Sequence, residues 1–133
     1  MTAPDWDLGE LVRGGSTNKS FSAPKDQLCF TYKGNNYITY QEYVINAGNR
    51  NGLSATGKYL LKHQDAQAPG LPYQLTLNEG SNNIVLPNPS NRVFKLNSNG
   101  KTCFMPTFDV VTEKNAKGGI YDDILTFTII AKP

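Results

Sequence analysis

The sequence predicts an all-β domain, built as a sandwich or a barrel. Its 133 residues include 12 glycines and 8 prolines, and asparagines are frequent. Turn-forming residues at such short intervals are typical of short strands joined by tight loops. No stretch of ten or more residues shows the apolar period of a helix. The length suits one domain, residues 1–133, and a chain of about this size buries roughly 70% of its unfolded surface.

The first half of the chain holds four candidate strands. Asp5–Arg13 is a weak first strand, because its apolar residues share one side with the charged Glu10. Gln27–Lys33 carries the first cysteine. Tyr37–Asn46 is rich in aromatic and β-branched residues, which suit a pleated, half-buried surface. A polar, glycine-containing loop follows, and Lys58–His63 is the next short strand.

The second half begins with a cleanly alternating strand and ends with another. A hairpin turn is predicted over Asn97–Gly100, since Asn-Gly tolerates the positive φ angles of such turns. In the closing strand Leu125, Phe127 and Ile129 share one face. The remaining candidates are Leu71–Leu77, Ile84–Leu86, Arg92–Leu96, Thr102–Thr112 and Ile120–Ala131. The pattern therefore predicts about eight strands.

Charge and hydropathy exclude several classes of partner. Charged residues make up 18% of the chain and the formal net charge is +2, with the lysines scattered. Nucleic-acid and anionic-membrane binding usually require a concentrated basic patch, so we expect neither. No apolar run approaches the roughly 20 residues of a membrane span, so no membrane insertion is expected. The first residues lack the basic and apolar regions of a secretory signal.

The two cysteines, Cys29 and Cys103, lie far apart, and each adjoins a phenylalanine. They could be two buried thiols or a disulfide. Their placement in strands of a loop-rich β domain favours the disulfide, which implies an oxidising compartment. With one histidine and no close cysteine pair, no metal site and no cofactor are predicted.

Three motifs with catalytic associations are discounted. Gly52–Lys58 matches a phosphate-binding loop up to its last position, where Tyr59 replaces the required Ser or Thr and a strand follows instead of a helix. His63 has no serine in a nucleophile turn to act on. Asp122 and Asp123 are adjacent, so they point to opposite faces of a strand. We therefore expect no enzymatic activity.

The aromatic residues allow a second kind of function. Tyrosines such as Tyr32, Tyr37, Tyr40 and Tyr43 could form a sugar-binding face, because aromatic rings are amphipathic contact surfaces. They could equally fill the core and its cross-strand pairs, which is the favoured interpretation. A self-contained sandwich that binds a host glycan or protein remains the alternative hypothesis.

Several segments together resemble a known family of bacterial surface proteins. They are Asp7–Leu11 with Gly14-Gly15, Leu28–Tyr32, Gly57–Lys62, Pro72–Leu77, Thr102–Phe104 and Ala116–Ile129. This spacing resembles the pilin domain of class five fimbrial tip subunits, found in colonisation-factor fimbriae and cable-type pili. The likeness spans nearly the whole chain but is diffuse, and the turn before the terminal strand is common to chaperone–usher pilins generally.

The resemblance implies a structural and assembly role. Such pilins are immunoglobulin-like sandwiches that lack their last strand. A periplasmic chaperone fills the gap first, and an outer-membrane usher then exchanges it for a donor strand from the neighbouring major pilin subunit. The groove would lie between the first strand, around Leu8 and Val12, and the terminal strand with Leu125, Phe127 and Ile129 inward. Cys29 and Cys103 would form the structural disulfide.

The resemblance also implies a location and a further domain. The protein would pass through the periplasm of a Gram-negative bacterium to the tip of an extracellular fimbria. Tip subunits carry an N-terminal adhesin domain, for which this chain has no room. Before Gly14, Pro4 and Glu10 interrupt the alternation that a donor strand needs. We therefore expect a domain that accepts a strand, cannot donate one, and links a tip adhesin to the shaft.

Overall fold

The computed structural model describes residues 4–34, 40–65, 67–80 and 82–132. Within them the chain forms ten strands and one single-turn 3₁₀ helix, Pro24–Asp26. The strands are β1 Gly15–Ser20, β2 Leu28–Thr31, β3 Glu42–Asn49, β4 Tyr59–His63, β5 Leu71–Glu79, β6 Asn82–Leu86, β7 Val93–Lys95, β8 Lys101–Thr112, β9 Tyr121–Asp122 and β10 Leu125–Ala131.

The larger sheet is built around β8. Its order is β1-β8-β5-β4-β9, and β2 and β6 pair with β8 and β5 respectively. β2 and β1 pair with successive parts of β8, residues 101–104 and 107–112. Pro106 lies where one neighbour gives way to the other, and its carbonyl accepts from the N–H of Phe21. A proline is tolerated there because the ladder changes partner at that point and needs no N–H donor.

The smaller sheet has the order β10-β3-β7 among the described strands, all antiparallel. The core lies between the two sheets: alternate residues of β5 and β8 are buried, as are Ile45, Phe94 and Phe127 of the smaller sheet. Phe94 meets Phe104 edge to face, with 5.3 Å between ring centroids. The all-β, two-sheet prediction is confirmed.

The predicted first strand is wrong. Residues 5–13 form no strand, and the chain enters the larger sheet only at Gly15. Gly9 has φ +73° and Gly14 has φ +72°, and this left-handed backbone cannot continue an extended ladder. The alternation of Trp6 and Leu8 is nevertheless real, since both side chains are partly buried.

The predicted hairpin at Asn97–Gly100 is also wrong. β7 pairs with β3 in the smaller sheet and β8 belongs to the larger one, so the turn carries the chain between sheets. Gly100 has the positive φ, +91°, that suggested the turn. Of the predicted strand Tyr37–Asn46, residues 37–39 lie outside the described residues, and the observed strand runs from Glu42 to Asn49.

Cys29 and Cys103 form a disulfide between β2 and β8. They are directly opposed residues of the antiparallel pair, with Cα atoms 4.1 Å apart. The bridge closes a sequence separation of 74 residues. The expectation of a disulfide from the two cysteines is therefore met.

Candidate functional site

The terminal strand β10 has one paired edge and one free edge. Among the described residues it pairs with β3 alone. The N–H of Arg50 donates to the carbonyl of Ile124 at 2.9 Å, and that of Lys132 donates to Glu42 at 2.8 Å. These two bonds fix which residues of β10 point toward β3, because main-chain groups alternate in direction along an antiparallel pair.

Because of this alternation, every residue of β10 whose side chain faces the core has its main-chain N–H and C=O groups at the free edge. Thr126, Thr128 and Ile130 direct their N–H and C=O groups to β3. Leu125 and Phe127 direct theirs away from it, as do Ile129 and Ala131. β10 thus offers core-facing apolar side chains and unpaired main-chain groups on the same residues, which is the form of a sheet edge that can accept another strand.

A groove of about 1080 Å³ lies beside this edge, between the sheets. The larger sheet contributes mainly apolar and aromatic side chains to its floor: Leu61, Leu71, Tyr73 and Phe108. Leu125 and Phe127 of β10 line it from the smaller sheet. Its remaining walls come from the segment before β1 and from the loop between β8 and β10.

The segment before β1 reaches into the groove with its side chains. The ring centroid of Trp6 lies 5.4 Å from that of Phe108 and 6.1 Å from that of Phe127, so Trp6 touches both sheets. Its indole N–H donates to the main-chain oxygen of Asp26 at 2.6 Å. Leu8 also packs against the core.

Asp123 organises the corner between β9 and β10 at the mouth of the groove. Its carboxylate accepts from the hydroxyl of Tyr73 at 2.6 Å and from the side-chain amide of Asn49 at 2.8 Å. It also accepts from the main-chain N–H groups of Asn51 at 3.1 Å and Ile124 at 2.9 Å. This saturated carboxylate breaks the predicted strand Ile120–Ala131 into β9 and β10.

Two buried tyrosines adjoin that carboxylate. Burial, together with the hydrogen bond to Asp123 and its charge, raises the pKa of Tyr73 far above its ordinary value. Burial and, second, the charge of Asp123 raise the pKa of Tyr59. The hydroxyl of Tyr59 donates to the carbonyl of Ala47 at 2.6 Å and so joins the two sheets. Both tyrosines are held neutral and serve as hydrogen-bond donors.

Asp122 points away from Asp123, as expected for adjacent strand residues, and pairs with Arg50 at 2.6 Å. Both side chains of that pair are at least half exposed, so it contributes little to stability. The two aspartates therefore do not form a carboxylate pair.

The loop before β9 is held against the end of β4. The N–H of Asp65 donates to Nδ1 of His63, so the other nitrogen, Nε2, donates to the carbonyl of Gly118 at 2.8 Å. Lys117 lies 2.6 Å from Asp65, and this contact holds the pKa of Asp65 below its ordinary value. Gly119, at φ +134°, packs so closely on the His63 ring that no Cβ fits.

The structure brings together three of the five residues predicted for the groove. Leu8, Leu125 and Phe127 line it. Ile129 packs against the core outside the lining residues, and Val12 is 59% exposed. Trp6, Tyr73 and Phe108 also line the groove and were not predicted as groove residues from the sequence.

The other sequence candidates have structural roles. Residues 54–57 form a turn that leads into β4 and no helix, so the phosphate-loop interpretation has no support. Tyr32 donates to Asn97 and Tyr43 packs on Phe94, whereas Tyr40 is 78% exposed. Tyr37 lies outside the described residues.

In the described ranges, no three His, Cys, Asp or Glu side chains converge as metal ligands. No helix found there is long and apolar enough to cross a membrane.

Comparison with models of protein families, with curated proteins and with solved structures finds no match to this chain.

Proposed function

We propose that this domain is a strand-accepting structural module of a bacterial fimbrial subunit. In this proposal it is an immunoglobulin-like sandwich that lacks one strand and receives it from a neighbouring subunit. The incoming strand pairs along the free edge of β10 and seats alternate apolar side chains in the groove. Main-chain hydrogen bonds supply the affinity and the side chains supply the register.

One observation carries the proposal: the main-chain groups that β10 leaves unpaired belong to the residues whose side chains face the core, beside an apolar groove of about 1080 Å³. A strand laid there would extend the smaller sheet and bring its own side chains against Phe127 and Phe108 in one step. An exposed edge next to apolar surface is an aggregation hazard, so a protein that keeps one needs something to cover it.

The proposed partners follow from the resemblance described above. A periplasmic chaperone covers the edge first, and an outer-membrane usher exchanges it for the donor strand of the neighbouring major pilin. The domain then links a tip adhesin domain to the shaft of the extracellular fimbria. The disulfide supports this location, because disulfides persist in oxidising compartments such as the periplasm.

The proposal is tested by thermal unfolding of the oxidised protein, alone and with a synthetic peptide of a class five major pilin's N-terminal extension. We expect the peptide to raise the midpoint strongly, and the rise to persist after dilution, because an intercalated strand dissociates slowly. A high midpoint in the bare protein and no rise with peptide would contradict the proposal.

A matched pair of variants tests whether the strand uses the β10 edge. Ile129→Pro and Ile129→Ala both remove the isoleucine side chain, but only Ile129→Pro removes the N–H that points to the free edge. We expect Ile129→Ala to keep a reduced rise in midpoint and Ile129→Pro to lose it. Equal uptake by the two variants would mean that the peptide binds elsewhere.

A further inference from the structure

The segment before β1 has the side-chain pattern of a strand without the main-chain bonds of one. Pro4, Trp6 and Leu8 are partly buried, and Asp5 and Asp7 between them are exposed. Yet no main-chain hydrogen bond joins residues 4–11 to another main-chain group within the described chain. Some N–H groups of the segment donate hydrogen bonds to side-chain oxygens instead, as that of Gly9 does to Asp7. The segment is therefore held in place by side chains.

Those side chains occupy the space beside the free edge of β10. Trp6 lies between Phe108 of the larger sheet and Phe127 of β10, and the segment and β10 line the same groove. A strand pairing along β10 would place an inward side chain next to Phe127, where Trp6 now packs. The segment and an incoming strand cannot both hold that position.

We propose that Pro4–Leu11 is a displaceable plug of the groove, whose release precedes strand uptake. The role in uptake rests on the proposed function, whereas the independent release of the segment does not. While seated, the plug shields Phe108 and Phe127 from water without pairing the β10 edge. An incoming strand gains ladder hydrogen bonds that the plug never makes, and this difference drives the exchange.

The first test needs no ligand and uses the oxidised full chain. Trp6 is the single tryptophan, so its fluorescence reports on the plug alone. We expect urea to shift the Trp6 emission to longer wavelength before it reduces the far-ultraviolet circular dichroism of the sheets. Coincident transitions would overturn the proposal, because the segment would then unfold only with the whole domain.

A pair of variants identifies the contact that seats the plug. Leu8→Ser removes a side chain that packs on the core, and Val12→Ser makes a comparable change at an exposed side chain of the same segment. We expect Leu8→Ser to favour release about fivefold, from the loss of a partly buried leucine, and to leave the sheet transition unchanged. Val12→Ser should change neither transition. If Leu8→Ser shifts both transitions equally, the plug is part of the cooperative core and the proposal fails.

The second test adds the major-pilin peptide and separates the two proposals. We expect uptake to expose Trp6 to acrylamide quenching and to proceed about fivefold faster in Leu8→Ser than in the parent chain. Uptake with Trp6 still shielded would overturn the plug and leave the proposed function standing. Early release of Trp6 in urea with no uptake by any variant would overturn the proposed function, and the gating role with it.

Discussion

At the scale of single residues, Asp123 decides where the terminal strand begins. Its four hydrogen bonds tie the β3–β4 loop, the floor of the groove and the start of β10 to one carboxylate. Asp123 is partly buried, and a carboxylate that has lost part of its water needs its lone pairs satisfied by protein donors, so each donor supports the others. The free edge of β10 is thus positioned by polar contacts just before its first residue and by apolar contacts along its length.

Removing the Tyr73 hydroxyl should weaken the fold and change its response to alkali. Tyr73→Phe deletes a hydrogen bond to a charged acceptor, so we expect the free energy of unfolding at neutral pH to fall by about 2 kcal/mol. Urea denaturation measures this change. Tyr40→Phe, at an exposed position, is the control for the loss of a hydroxyl and should match the parent chain.

The pH dependence follows from the raised pKa values of Tyr59 and Tyr73. A tyrosine whose pKa is higher in the folded than in the unfolded chain contributes full stability below its unfolded pKa, about 10, and loses it as pH rises further. Each such tyrosine adds a slope of about 1.4 kcal/mol per pH unit above pH 10. Tyr73→Phe should therefore roughly halve the alkaline slope, and an unchanged slope would contradict its assignment to these two residues.

At the scale of elements, β10 joins two properties that are usually separate. Its inward side chains complete the core, and its outer main chain pairs with no other strand of the described chain. Because both alternate with a period of two, one register assigns the apolar face and the free N–H groups to the same residues. A one-residue slip against β3 would turn Thr126 and Thr128 inward, so burial of Phe127 fixes which amides face the free edge.

Two proline substitutions should report this alternation without any ligand. Thr128→Pro removes an N–H directed at Asn46 and leaves the carbonyl of Asn46 unpaired. We therefore expect the free energy of unfolding to fall by about 3 kcal/mol. Ala131→Pro removes an N–H at the free edge from an exposed residue, and we expect a change within about 0.5 kcal/mol. Urea denaturation measures both. Equal losses would mean that β10 does not present its inward residues at the free edge.

The sequence predicts elements better than their partners. Alternation identifies Leu71–Leu77 and Thr102–Thr112, because one buried face leaves a period of two in the residue types. It cannot reveal that β7 pairs with β3, since the Asn-Gly turn is a local signal whereas Phe94 is placed by contacts across the core. The plug has the sequence pattern of a strand because its side chains alternate, and only Gly9 and Pro4 indicate that the ladder is missing.

At the scale of the whole molecule, the disulfide is the one covalent link between distant parts of the described chain. It joins β2 to β8, the strand around which the larger sheet is built. Two borders of the groove, the plug and β10, lie outside the loop that the bridge closes. The disulfide therefore constrains β2, β8 and the chain between them, and it leaves the plug and β10 without a covalent constraint.

Breaking the bridge should destabilise the whole domain. In the chain-entropy model, closing a separation of 74 residues stabilises by about 4 kcal/mol. We expect the double variant Cys29→Ala with Cys103→Ala to lose about this amount in urea denaturation. A reducing agent should produce the same loss in the parent chain and none in the double variant, and equal midpoints for oxidised and reduced protein would contradict this role.

The same bridge limits how far the chain can be stretched. When the oxidised polypeptide is pulled by its two ends, β3 bears load only through its ladder with β10. Once β10 has left β3, the tension passes from Cys29 directly to Cys103, and the strands from β3 to β7 carry none of it. At about 3.4 Å per extended residue, the bypassed segment withholds about 250 Å of contour length. We expect tension to detach the plug and β10 while the segment between the two cysteines, more than half of the chain, bears no load. Only reduction of the disulfide would release the contour length of that segment.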